Sequence, residues 1–150
     1  MTGPFLFLVL TVPALAAGCD SPDPELIPDS YLQSELGLTR DDRVHTIGLT
    51  GGVSERAEPA TTSVLPGEYV QFVSSDWLIH EVAFQVDSLR SSLRAFLERT
   101  GQTASPPLLQ RGSRFVLSFV DAPPGRYPYA LVGNRGPGRG VIVVLDPGAG

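Results

Sequence analysis

The chain has 150 residues, 42% of them hydrophobic, which is enough for one domain with a real core and too little for two. Its formal charge of −5 sits in one stretch: seven acids between Asp20 and Arg43 face only Arg40 and Arg43, whereas from Val44 onward nine acids meet nine arginines. The balanced part offers no basic face for phosphate, which argues against nucleic acid, and one Cys excludes an intramolecular disulfide.

Residues 4–18, PFLFLVLTVPALAAG, form an apolar run of signal-peptide length, too short for the ~20 residues of a membrane span. The string Leu15-Ala16-Ala17-Gly18-Cys19 resembles a bacterial lipobox, in which cleavage before the cysteine leaves it to carry lipid. The expected organisation is a signal peptide over 1–18, lipidated Cys19 opening an acidic, Pro-rich tether over 19–43, and one domain over 44–146. The expected address is exported, anchored in a membrane through the lipid and facing the periplasm or cell exterior. Within the tether, YLQSELGL has the makings of one short helix but too few apolar residues to stand alone.

From Val44 the pattern changes to short apolar runs between Pro and Gly turns. Strands are expected at 44–49, 62–65, 68–74, 79–86, 114–120, 126–132 and 140–145, with an irregularity near His80 because Ile79 and Val82 do not alternate cleanly. Between the fourth and fifth of these, Leu89, Leu93, Phe96 and Leu97 recur at helical spacing, with Asp87 or Ser88 as N-cap and Gly101 as the stop. Six or seven short strands with one inserted helix describe an all-β Greek-key sandwich.

The segments Pro66-Gly67-Glu68-Tyr69-Val70-Gln71-Phe72, His80-Glu81-Val82-Ala83-Phe84, Gly125-Arg126-Tyr127-Pro128-Tyr129 and Gly140-Val141-Ile142-Val143-Val144 follow one another in a recognisable order. Together with Asp76 and Phe115 to Phe119 they resemble a cupredoxin domain of the plastocyanin/azurin type over about two thirds of the chain. The resemblance implies a copper ligand at His80 and three more on the loop after Tyr129. Those three positions fall on Leu131, Asn134 and Arg139, where the family has Cys, His and Met. A blue-copper centre needs the thiolate, so a type 1 site is not expected and no cofactor is.

Three readings of His80 remain: a structural histidine bonded to the facing loop, weak Cu(II) capture with Asn134, a backbone carbonyl or His45, or a part in docking a partner. The first goes with a copper-free binding or accessory module for an unknown envelope protein, the second with a copper-binding or electron-transfer protein. Trp77 and Leu78, just before His80, either cover one end of the core or join Arg135 and Arg139 as a partner surface. His45 reads as an exposed or edge residue. No G-x-S-x-G turn, second thiol or marked carboxylate pair points to catalysis, so no catalytic residue and no enzyme is expected.

Overall fold

A computed structural model describes residues 23–149; the apolar run 4–18 and Cys19 lie outside the described residues. Eight strands form two sheets: β1 (Val44–Gly51), β2 (Glu55–Glu58), β4 (Tyr69–Ser74) and β6 (Arg114–Ser118) in the order β2-β1-β4-β6, and β3 (Thr61–Val64), β5 (His80–Phe84), β7 (Gly125–Gly133) and β8 (Gly138–Val144) in the order β3-β8-β7-β5. β1 runs parallel to β4, and β3 to β8; the remaining pairs are antiparallel. The chain is a two-sheet sandwich because alternate residues of each sheet are apolar and face the other: Ile47, Leu49, Val70, Phe72 and Leu117 from the first meet Val82, Phe84, Tyr127, Tyr129, Leu131 and Ile142 from the second.

The expected strands are present to within a few residues, with two differences. β2, sequence ERAE, was not anticipated, because only Ala57 offers an apolar contact and the strand is identified by pairing with Gly48–Gly51. β5 shows regular alternation, with His80, Val82 and Phe84 buried, so the irregularity expected near His80 is absent; Ile79 lies before the strand begins. The expected helix is α2 (Ser91–Thr100), later than its anticipated start. Asp87 and Ser88 belong to a separate 3-10 turn and do not cap it, while Gly101 ends it in the left-handed conformation at φ 68°. Leu93, Phe96 and Leu97 bury its inner face, and Phe96 packs against Phe119 and Tyr127 with ring centroids 6.1 and 6.2 Å apart.

The largest departure concerns the segment read as a spacer. Residues 23–43 lie along the outer face of the first sheet, where Leu32, Leu38 and Val44 form a second small core with Tyr69 and Val116. Its short helix, α1 (Ser30–Leu36), is started by the Asp29 carboxylate, which accepts from the Leu32 amide, and stopped by Gly37 at φ 66°. Asp29 also meets the Arg114 guanidinium at 2.6 Å, which latches the helix to β6. Gln71 shows the consequence on the sheet side: it is polar and outward-facing, yet covered, and it bonds Thr46 and Arg114.

Candidate functional site

Strand directions bring Gly51, Ser74, His80, Gly133 and Gly138 to one end of the sandwich, and Val44, Tyr69, Ser118 and Val144 to the other. His80 opens β5 at the first of these poles, faces inward and is fully buried. Its backbone exchanges hydrogen bonds with Leu108, at 3.2 and 2.8 Å. A buried imidazole needs partners for its polar nitrogens, and both have one: Nδ1 lies 2.5 Å from Glu55 Oε2, and Nε2 lies 2.7 Å from Asp76 Oδ1. Glu55 comes from β2 in the opposite sheet, so the imidazole joins the two sheets across the top of the core.

Each carboxylate is itself positioned. Asp76 Oδ2 accepts from the Gly51 amide at 2.7 Å and Oδ1 from the Leu78 amide at 2.9 Å. Burial alone would raise its pKa, but these two amides and His80 outweigh it and hold the carboxyl below its ordinary value. Asp76 is therefore ionised at neutral pH and accepts a proton-bearing Nε2. The Glu55 side chain has no exposed surface; its Oε1 accepts from the Arg135 amide at 3.3 Å, and its own amide donates to the Gly136 carbonyl at 2.7 Å. The β7–β8 loop thus closes over Glu55. The glycines that flank this loop, Gly133 at the end of β7 and Gly138 at the start of β8, make room for that residue: a Cβ at Gly133 would lie 2.5 Å from Glu55 Oε1, and one at Gly138 would collide with the Glu55 backbone carbonyl.

The residues at the expected ligand positions do not fit copper. Leu131 is a buried core residue on β7, paired with Val82 and Gly138. Asn134 uses its side-chain oxygen to accept the Ile79 amide at 3.1 Å. Arg139 lies on β8 opposite Ala130, and a guanidinium has no lone pair to offer. His45 is remote from His80; it lies on the half of β1 that β2 leaves unpaired, partly buried, with Nε2 2.7 Å from Glu68 Oε2.

Of the surface residues singled out, the structure gathers Trp77, Leu78 and Arg135 at the His80 pole. Trp77 is 75% exposed, so it does not cover the core. Leu78 is half-buried against Gly51. Val53 at 99% and Leu109 at 64% exposed extend the same rim, and neither was anticipated. Arg139 stands apart, in a cleft with Glu55 to Ala60 on the flank of β2. Glu55 is the functional residue that the sequence reading missed. It lies 25 positions from His80 in a strand without apolar alternation, and nothing nearby marks its carboxylate as buried.

No family model and no curated protein matches the chain. Among solved structures, an amicyanin mutant in the reduced state is similar at 18% identity over 73% of this chain and 88% of that one, with a TM-score of 0.46. A purple cupredoxin from Nitrosopumilus maritimus is similar at 19% identity over 67% and 99%, TM-score 0.45. A copper-containing nitrite reductase from Thermus scotoductus SA-01 gives 21% identity over 74% of this chain and TM-score 0.49, and the chain spans 24% of its length. These likenesses concern the arrangement of strands and do not extend to what those proteins bind.

Proposed function

We propose that this chain is a copper-free, non-enzymatic binding module of the cell envelope, exported and held at a membrane through lipid on Cys19. The observation that carries the reading is the engagement of both His80 nitrogens by carboxylates. The one buried imidazole of the sandwich is spent on Glu55 and Asp76; at the other expected ligand positions Leu131 and Arg139 bring no donor atom, and the Asn134 oxygen already accepts the Ile79 amide. The same engagement speaks against general-base catalysis, since no hydroxyl or thiol shares a hydrogen bond with His80 among the described residues. What the pole does offer is contact: Trp77, Leu78 and Arg135 at an exposed rim, with Arg139 on its flank.

The test loads the purified full chain with Cu(II), desalts it, and records metal content and visible spectrum beside His80→Ala and Glu55→Ala. The reading expects no stoichiometric copper in the unaltered protein. Copper retained by that protein and lost with His80→Ala would overturn it in favour of a copper-handling role.

A further inference from the structure

The packing of segment 23–43 on the first sheet fixes the end of the sandwich at which the described chain begins. Asp23, Leu26 and Ile27 line a cleft of about 230 Å³ with Arg40, Asp41, Asp42 and Arg43, so the chain enters the described structure beside the start of β1. The His80 pole lies at the other end of that strand, seven residue steps or about 23 Å away. Cys19 precedes Asp23 by four positions, and four residues reach about 14 Å at full extension. An anchor at Cys19 is thus tied closely to the pole of Arg43 and cannot reach the pole of His80.

The two poles also differ in charge. Around the entry point four acids, Asp23, Glu25, Asp41 and Asp42, outnumber Arg40 and Arg43, and Arg43 is already paired with Glu68. At the His80 pole stand Arg56 on β2 and Arg111 and Arg135 on loops, all exposed and without an ion pair among the described residues, around the exposed side chains of Val53, Trp77, Ile79 and Leu109. Of the acids there, Glu55 and Asp76 are both used internally on His80, which leaves Glu81, next to His80 on β5, against the three arginines. A rim of apolar side chains among arginines complements a surface with an apolar centre and acidic edges.

We propose that residues 23–43 act as an orienting strap: they set the Arg43 pole toward the bilayer that holds Cys19 and turn the His80 pole away from it, toward an acidic protein surface. The proposal rests on the reading of Cys19 as the lipid anchor, and it names the partner's chemistry for the rim already described.

Trp77 is the only tryptophan, which makes it a native probe. The full chain is purified from membranes, reconstituted in phosphatidylcholine vesicles bearing a dansyl headgroup lipid, and energy transfer from Trp77 is compared with that from the Arg40→Trp/Trp77→Phe variant. The strap account expects stronger transfer in the variant. Transfer from Trp77 as strong as the variant's, on protein whose Cys19 peptide carries acyl mass, overturns the orientation and leaves the anchor standing. An unmodified Cys19 peptide overturns both. For the partner, a photo-crosslinking residue in place of Leu109 in cells is expected to form a protein adduct that disappears with Arg111→Glu/Arg135→Glu while membrane retention is unchanged. Adducts to lipid, adducts between two copies of the chain, or a protein adduct indifferent to those reversals would overturn the acidic partner.

Discussion

The molecule has two histidines, one near each pole, and each meets a glutamate, yet the two pairs carry very different weight. His80 and Glu55 have no exposed side-chain surface and join the two sheets, whereas His45 on β1 and Glu68, just before β4 of the same sheet, keep 18% and 10% of theirs. Glu68 also has other work: it meets Arg43 at 3.0 Å and accepts the Leu65 amide at 2.9 Å, so it does not depend on His45. Glu55 has only His80 and the Arg135 amide. The lesson is that the same hydrogen bond is an accessory where water can replace it and a structural requirement where water cannot.

Glu55→Ala should have the largest effect, because it leaves a buried imidazole without its Nδ1 partner and loosens the loop that Glu55 holds. A loss of about 3–5 kcal/mol is expected by denaturant unfolding. Equal stability of Glu55→Ala and the parent would erase the distinction between the poles. Leu32→Ala, which empties the centre of the small core beside Val44, should cost about 3 kcal/mol and release the strap. Protease cleavage within 23–43, faster in this variant than in the parent, would report that release. His45→Ala should cost about 1 kcal/mol or less, in line with a partly solvated pair, and a loss as large as that of Glu55→Ala would contradict the ranking.

The smallest effect is the acid response of Asp29 and Asp76. Burial would raise both pKa values, but donors outweigh it: the Leu32 amide and Arg114 at Asp29, the Gly51 and Leu78 amides and His80 at Asp76. Both are therefore lowered from 3.8. Depressed carboxyl pKa values give stability that is fully present above the unfolded value and fades as pH falls through the folded one, so the added acid sensitivity belongs below about pH 4. Thermal unfolding followed from pH 6 to pH 2 should show this fall, and Asp76→Asn should flatten it more than Asp29→Asn, whose side chain is 45% exposed. An unchanged slope in Asp76→Asn would remove that carboxylate from the account.

The sandwich itself was legible because its strands announce themselves locally: Val70 and Phe72 stand either side of Gln71 at strand spacing, and Leu93, Phe96 and Leu97 keep helical spacing. What lay hidden depends on contacts distant in sequence. Leu32 and Leu38 look too sparse to fold alone, and only the outer face of β1, β4 and β6 gives them a place to bury. Likewise His80 is conspicuous but its partner is not, since Glu55 becomes a buried carboxylate only once β2 pairs with β1 and the glycines flanking the β7–β8 loop leave it room.

The most direct test is the nitrogen-15 spectrum of the His80 ring at neutral pH, assigned with a His45→Gln variant and recorded before and after addition of Cu(II). The account predicts a slowly exchanging proton on the Glu55–Nδ1 bond and another on the Nε2–Asp76 bond, both unchanged by copper. A His80 resonance that lacks those protons, or that broadens selectively when copper is added, would contradict it and return His80 to the role of a metal ligand.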